Sequence, residues 1–141
     1  MTTIAFKDGV LAADSHIACG GLRSGTAQKI FEHGGGAIAG AGAYAEFLRF
    51  KDWIVDGADP EKRPELKESD LIWIKPDGSV VEFEPTGQLA YEAPFYALGS
   101  GRELAIGAMA AGASAEEAVR IAIDWSQGSG GEVQIALVGG P

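Results

Sequence analysis

The second residue of the chain is a threonine. Removal of Met1 would leave Thr2 with a hydroxyl and a free α-amine on one residue. An unperturbed α-amine titrates at about 7.7–8.0, so it can take a proton near neutrality. A threonine hydroxyl activated by its own amine is a recognised nucleophile. Such a group needs a cation to favour oxygen ionisation, a carboxylate to orient that cation and backbone N–H groups for an oxyanion. With Met1 in place the amine is absent and this chemistry cannot run.

Other candidates are weaker. Asp14, His16 and Cys19 lie close together but lack a fourth ligand at recognisable metal spacing, so no metal or cofactor is expected. A Cys19–His16 pair is too close along the chain for ordinary nucleophile–base geometry. Gly99-Ser100-Gly101 opens a helical stretch and can receive an anion there. No G-x-G-x-x-G pattern and no P-loop lysine follow it. Asp14 ends an apolar segment; it either caps a turn with Ser15 or takes a partner, for which Lys29 is a candidate.

The elements that must position these residues are short. Thr3 to Lys7 alternates as a strand, Asp8-Gly9 is a hairpin turn, and Val10 to Asp14 returns. Ser15 to Gly25 reads as a small-residue loop and Ala27 to His33 as a third strand. Gly34 to Gly36 turns into a fourth, Ala37 to Gly42. Ala43 to Val55 has helical apolar spacing, and Gly57 to Lys67 reads as a loop. Leu71 to Lys75 and Val80 to Phe83 form a hairpin about Pro76-Asp77-Gly78, and Phe95 to Leu98 is another strand. Ser100-x-x-Glu103 and Ser114-x-x-Glu117 fit capping boxes of two helices, the first ending at Gly112. Val133 to Val138 is a last strand. Clustered hairpins and clustered helices predict an α+β fold with antiparallel sheets covered by helices.

Composition bounds the function. A chain of 141 residues, 46% hydrophobic, is one domain with a sizeable core, residues 1–141. Twenty-one glycines against six prolines point to tight turns and close backbone approach rather than disorder. Eleven basic against twenty acidic residues give a net charge of −9, which argues against nucleic acid as a partner. No apolar run is long enough to span a bilayer, and no signal-peptide pattern opens the chain. The single Cys19 cannot form an internal disulfide. The expected setting is cytoplasmic, without nucleic-acid or membrane partners.

Thr2-Thr3-Ile4, Lys7-Asp8-Gly9-Val10-Leu11-Ala12-Ala13-Asp14-Ser15 and Lys29-Ile30-Phe31 resemble the start of a proteasome β-type subunit and of HslV-type bacterial peptidases. The resemblance continues through Ala39-Gly40-Ala41-Gly42 and Ala97-Leu98-Gly99-Ser100-Gly101 to Ser129-Gly130-Gly131, in the same order and over most of the chain. It implies the αββα four-layer sandwich of N-terminal-nucleophile hydrolases, with one helical layer reduced where Gly57 to Lys67 replaces a helix. Thr2 would be the nucleophile and its amine the base. Asp14 and Lys29 match the family's carboxylate and lysine. Gly42 matches the oxyanion glycine, with Gly40 as the alternative. Ser100 and Ser129 match the serines near the nucleophile.

The chain departs from the family in places. The Thr2-to-Asp14 span of 12 positions is shorter than the family's; an even shortening of a hairpin keeps the side-chain parity of both strands. Where the family has an aspartate three residues before the S-G-G serine, this chain has Ser126, with Asp124 two residues earlier. The expected activity is hydrolysis of peptide bonds in peptides or unfolded proteins by a threonine peptidase. A ring-forming homo-oligomer and an ATPase unfoldase are the partners the resemblance implies. The competing expectations are a non-catalytic proteasome-like assembly or binding protein, and an amidase acting on something other than protein.

Overall fold

The computed structural model describes residues 2–19 and 22–139; for Ala18, Cys19, Leu22, Arg23 and Ser24 only the backbone is described. The chain is mixed α/β. Strands β1 (Thr3–Lys7) and β2 (Val10–Ala13) form a hairpin, with Ile4 opposite Ala13 and Lys7 opposite Val10. β1 also pairs with β10 (Phe95–Gly99), and β2 with β11 (Gln134–Leu137). The resulting antiparallel sheet has the order β10-β1-β2-β11.

A second sheet follows chain order: β5 (Ile30–His33), β6 (Gly36–Ala41), β7 (Asp70–Ile74), β8 (Val80–Glu84) and β9 (Gly87–Tyr91). Three helices are described: α1 (Tyr44–Val55), α2 (Arg102–Ala110) and α3 (Ala115–Trp125). None is long and apolar enough to cross a membrane.

The period-2 alternation of the strands sorts their side chains between faces. Ile4, Phe6, Leu11, Ala13, Tyr96 and Leu98 of the first sheet cluster with Ala37, Ala39, Ile72, Ile74 and Val80 of the second. The alternate residues Ala5, Ala12 and Ala97 cluster with Ala105, Met109, Ala118 and Val119 of α2 and α3. Small residues on that face let the two helices approach the strands closely. On the second sheet Ile38, Leu71, Val81 and Phe83 cluster with Phe47, Phe50 and Ile54 of α1. The stretch between α1 and β7 holds one short 3-10 turn, Pro60–Lys62.

The helix signals read from sequence differ in outcome. Ser114 and Glu117 form the full capping box of α3. Gly112 takes φ +111° just past α2, where Ala113 N–H reaches Ala108 O and Gly112 N–H reaches Met109 O; these bonds close a Schellman end. Ser100 does not cap α2, whose N-cap is Gly101 without a side-chain bond. Its hydroxyl is engaged elsewhere.

Three strand expectations are corrected. The stretch Ser15 to Gly25 is not simply a loop, since β3 (His16–Cys19) pairs with β4 (Leu22–Thr26), with a register shift between Ile17 and Ala18. Ala27 to Lys29 is not strand. There Ala27 N–H reaches Ser15 O, and the Gln134 side chain bonds Ala27 O (2.6 Å) and Lys29 N–H (2.8 Å). A side chain thus does the work of a sheet neighbour. β9 was not expected; it is an edge strand with Leu89 exposed, so no buried alternation marks it.

Candidate functional site

Asp14 follows β2 directly and is fully buried. Its Oδ1 accepts from Thr3 N–H (3.0 Å) and its Oδ2 from Gly130 N–H (3.0 Å). Two backbone donors therefore fix the carboxylate before any cation is considered. The Gly130 donor comes from the turn after α3, and Gly130 O in return accepts from the N–H groups of Ser15 and His16.

Lys29 stands just before β5, and only 3% of it is exposed. Its Nζ donates to Asp14 Oδ1 (3.0 Å) and to Thr2 Oγ1 (3.1 Å). Burial pulls the ammonium below its ordinary range, opposed by the charge and hydrogen bond of Asp14. A cation made more acidic in this way is a better proton donor toward the oxygen beside it.

Thr2 is itself buried, and its carbonyl is gripped from the β10–α2 turn. Gly101 N–H (3.4 Å) and Ser100 Oγ (3.3 Å) both point to Thr2 O. This is where the Ser100 hydroxyl goes instead of capping α2. Gly99 sits at φ +96°, and a Cβ there would overlap Thr2 O. Only glycine meets both demands.

Ser129 is buried too, but its Oγ lies 2.5 Å from Thr3 Oγ1. Its described partner is therefore the residue after Thr2. Ser126 ends α3, where its hydroxyl accepts from Gly128 N–H (3.4 Å), and Asp124 is exposed on the same helix.

A cavity of roughly 150 Å3 opens beside Thr2 and Lys29. Gly40, Ala41 and Gly42 form one wall, followed by Ala43, Tyr44 and Phe47 at the start of α1. His16 and Ile17 of β3 close another side. Both expected oxyanion glycines thus face the same cavity as Thr2, and Gly42 has φ +114°. The sequence reading missed His16 and Ile17 as lining residues because it took their segment for a loop. It missed Tyr44 and Phe47 because helical spacing shows the packed face and not what a helix end faces. Tyr44 Oη also donates to Gln28 O (2.7 Å), tying α1 to the Lys29 segment. Among the described residues no group of three or more His, Cys, Asp and Glu is placed to hold a metal ion.

Two structures of Thiobacillus denitrificans BPH are similar to this chain, each 22% identical in sequence. The one in complex with epoxomicin has a TM-score of 0.69 and matches 97% of this chain and 97% of its own. The other has a TM-score of 0.66, with 97% and 96% covered. These neighbours fit a proteasome-like fold. No family model matches the sequence, and no curated protein does. The likeness is one of fold, and any chemistry rests on the residues of this chain.

Proposed function

We propose that this proteasome-like domain is a threonine peptidase, with the αββα layering of N-terminal-nucleophile hydrolases and Thr2 as nucleophile once Met1 is removed. The single observation that carries the reading is the buried chain Thr2 Oγ1–Lys29 Nζ–Asp14, with links of 3.1 and 3.0 Å. The layering is supported by the three apolar clusters, two between sheet and helices and one between the sheets.

In this mechanism the α-amine of Thr2 takes the hydroxyl proton as Oγ1 adds to the substrate carbonyl carbon. Lys29 stabilises charge on Oγ1, and Asp14 holds the ammonium in place. The Gly42 N–H serves the oxyanion, with the N-terminal end of α1 behind it. The ammonium of Thr2 then protonates the leaving amine, the C–N bond breaks and a threonyl ester remains. Water, deprotonated by the same amine, cleaves the ester and restores the hydroxyl. Ser100 positions Thr2 through its carbonyl. Ser129 acts one residue further on, through Thr3.

Intact mass of protein from its native host tests the first requirement, loss of Met1. Thr2→Ala is then expected to abolish hydrolysis of peptide substrates, and equal activity in that variant would sink the reading. Peptides compared with small amides would give the substrate class. Exposure of Asp124, with Ser126 in place of the family's aspartate, favours a second reading as a non-catalytic assembly or binding protein. That reading predicts retention of Met1. The homo-oligomeric ring and the ATPase partner are proposals of the same kind, open to measurement of mass in solution.

A further inference from the structure

Glu46 is a buried carboxylate outside the Thr2–Lys29–Asp14 chain. It occupies the third position of α1, where a glutamate would ordinarily reach back to the N-cap. Instead its Oε1 accepts three backbone donors from another segment: Lys67 N–H (2.9 Å), Glu68 N–H (3.1 Å) and Ser69 N–H (3.0 Å). Burial alone would raise its pKa, but these backbone donors hold it below the usual carboxylate value. Ser69, fully buried, donates its hydroxyl to Ala43 O (3.2 Å), the residue after Gly42. The same segment lies hard against Gly42: a Cβ there would stand 2.5 Å from Glu68 O and 2.7 Å from Ser69 Cα.

The geometry points to Glu46 as a positioning residue that sets Gly42 at the cavity wall shared with Thr2, acting through the 67–69 segment. The inference rests on the proposed function, in which Gly42 serves the oxyanion. Gly42 takes φ +114°, and Ala43, the N-cap of α1, offers no side-chain cap. Glu46 supplies a constraint from within the helix. One carboxylate oxygen gathers three donors, the gathered segment presses on Gly42 from below, and Ser69 ties it to Ala43. An oxyanion donor displaced by about 1 Å costs on the order of a hundredfold in rate.

The test compares Glu46→Ala, Glu46→Gln and Ser69→Ala in the full chain after Met1 removal. Glu46→Ala is expected to lower kcat on a peptide substrate by ten- to about a hundredfold with KM little changed. Glu46→Gln, which keeps an oxygen acceptor, restores most of that loss. Ser69→Ala, which keeps the three backbone donors to Glu46 but removes the tie to Ala43 O, gives a smaller fall and covers the case in which Glu46→Ala does not fold. Amide hydrogen exchange supplies a readout independent of turnover: residues 42–44 should exchange faster in Glu46→Ala and Ser69→Ala, while β1 and β2 stay protected. Unchanged exchange at 42–44 in both variants would overturn the inference whether or not the chain is active. Wild-type kcat in both variants of an active chain would overturn it while leaving the peptidase reading intact. An inactive parent chain would count against the peptidase reading alone, and the exchange data would still decide whether Glu46 fixes Gly42.

Discussion

Asp14 and Lys29, fifteen positions apart, meet as a buried ion pair at 3.0 Å. Asp14 also accepts two backbone N–H groups, whereas Lys29 reaches Thr2. The two partners are therefore not equivalent. Asp14→Ala strands a buried cation and two backbone donors, so a loss of about 3–5 kcal/mol is expected. Lys29→Met leaves Asp14 with both backbone donors and should cost less. Urea unfolding of the two variants gives the order; a larger loss for Lys29→Met would show that the backbone donors contribute little.

The rate of peptide hydrolysis should depend on pH through two groups. The α-amine must be neutral to accept a proton, so the rate rises as pH passes its pKa, about 7.7–8.0 when unperturbed. Lys29 must stay protonated to stabilise Oγ1, and burial holds its pKa below 10.5. The rate therefore falls again on an alkaline limb that lies below the ordinary lysine range. A kcat/KM profile between pH 6 and 11 checks this, and a plateau extending past pH 10.5 would remove Lys29 as the protonated partner.

Gly99→Ala should damage the site and the fold together. Its φ of +96° disfavours any side chain, and the added methyl would strike Thr2 O. Overpacking of this kind costs about 1–3 kcal/mol. Ser114→Ala, at a capping box remote from Thr2, should cost about 0.5–2 kcal/mol. Stability lost in both variants, with activity lost only in Gly99→Ala, is the expected pattern. Activity lost equally in both would mean that stability alone governs it.

Much of the fold could be read from local pattern. Thr3–Lys7 alternates, Val10 to Asp14 is a short apolar run ending in a carboxylate, Asp8-Gly9 turns them, and Ser114 and Glu117 announce α3 within four residues. These signals are local because strand parity, turn φ values and helix caps depend on neighbours in sequence. The gathering of Thr2, Asp14, Lys29, Gly42 and Ser100 was expected from the resemblance, in chain order but without geometry.

Other features depended on competition between distant partners. Ser100 fits a capping box, yet its hydroxyl goes to the carbonyl of Thr2, 98 positions away. Ser129 meets Thr3 across 126 positions. Ala27 to Lys29 looks like strand, but the Gln134 side chain takes its hydrogen bonds. Glu46 looks like an ordinary first-turn acid, yet it gathers three donors from residues 67–69. By itself the sequence determined most of the strands, turns and helices, though not β3, β4 or β9, and that a threonine stands at position two. Only the tertiary structure decided where each buried donor and acceptor finds its partner. A buried polar group must be satisfied by whatever packing brings within reach, and that neighbour is set by the sheets and not by the chain.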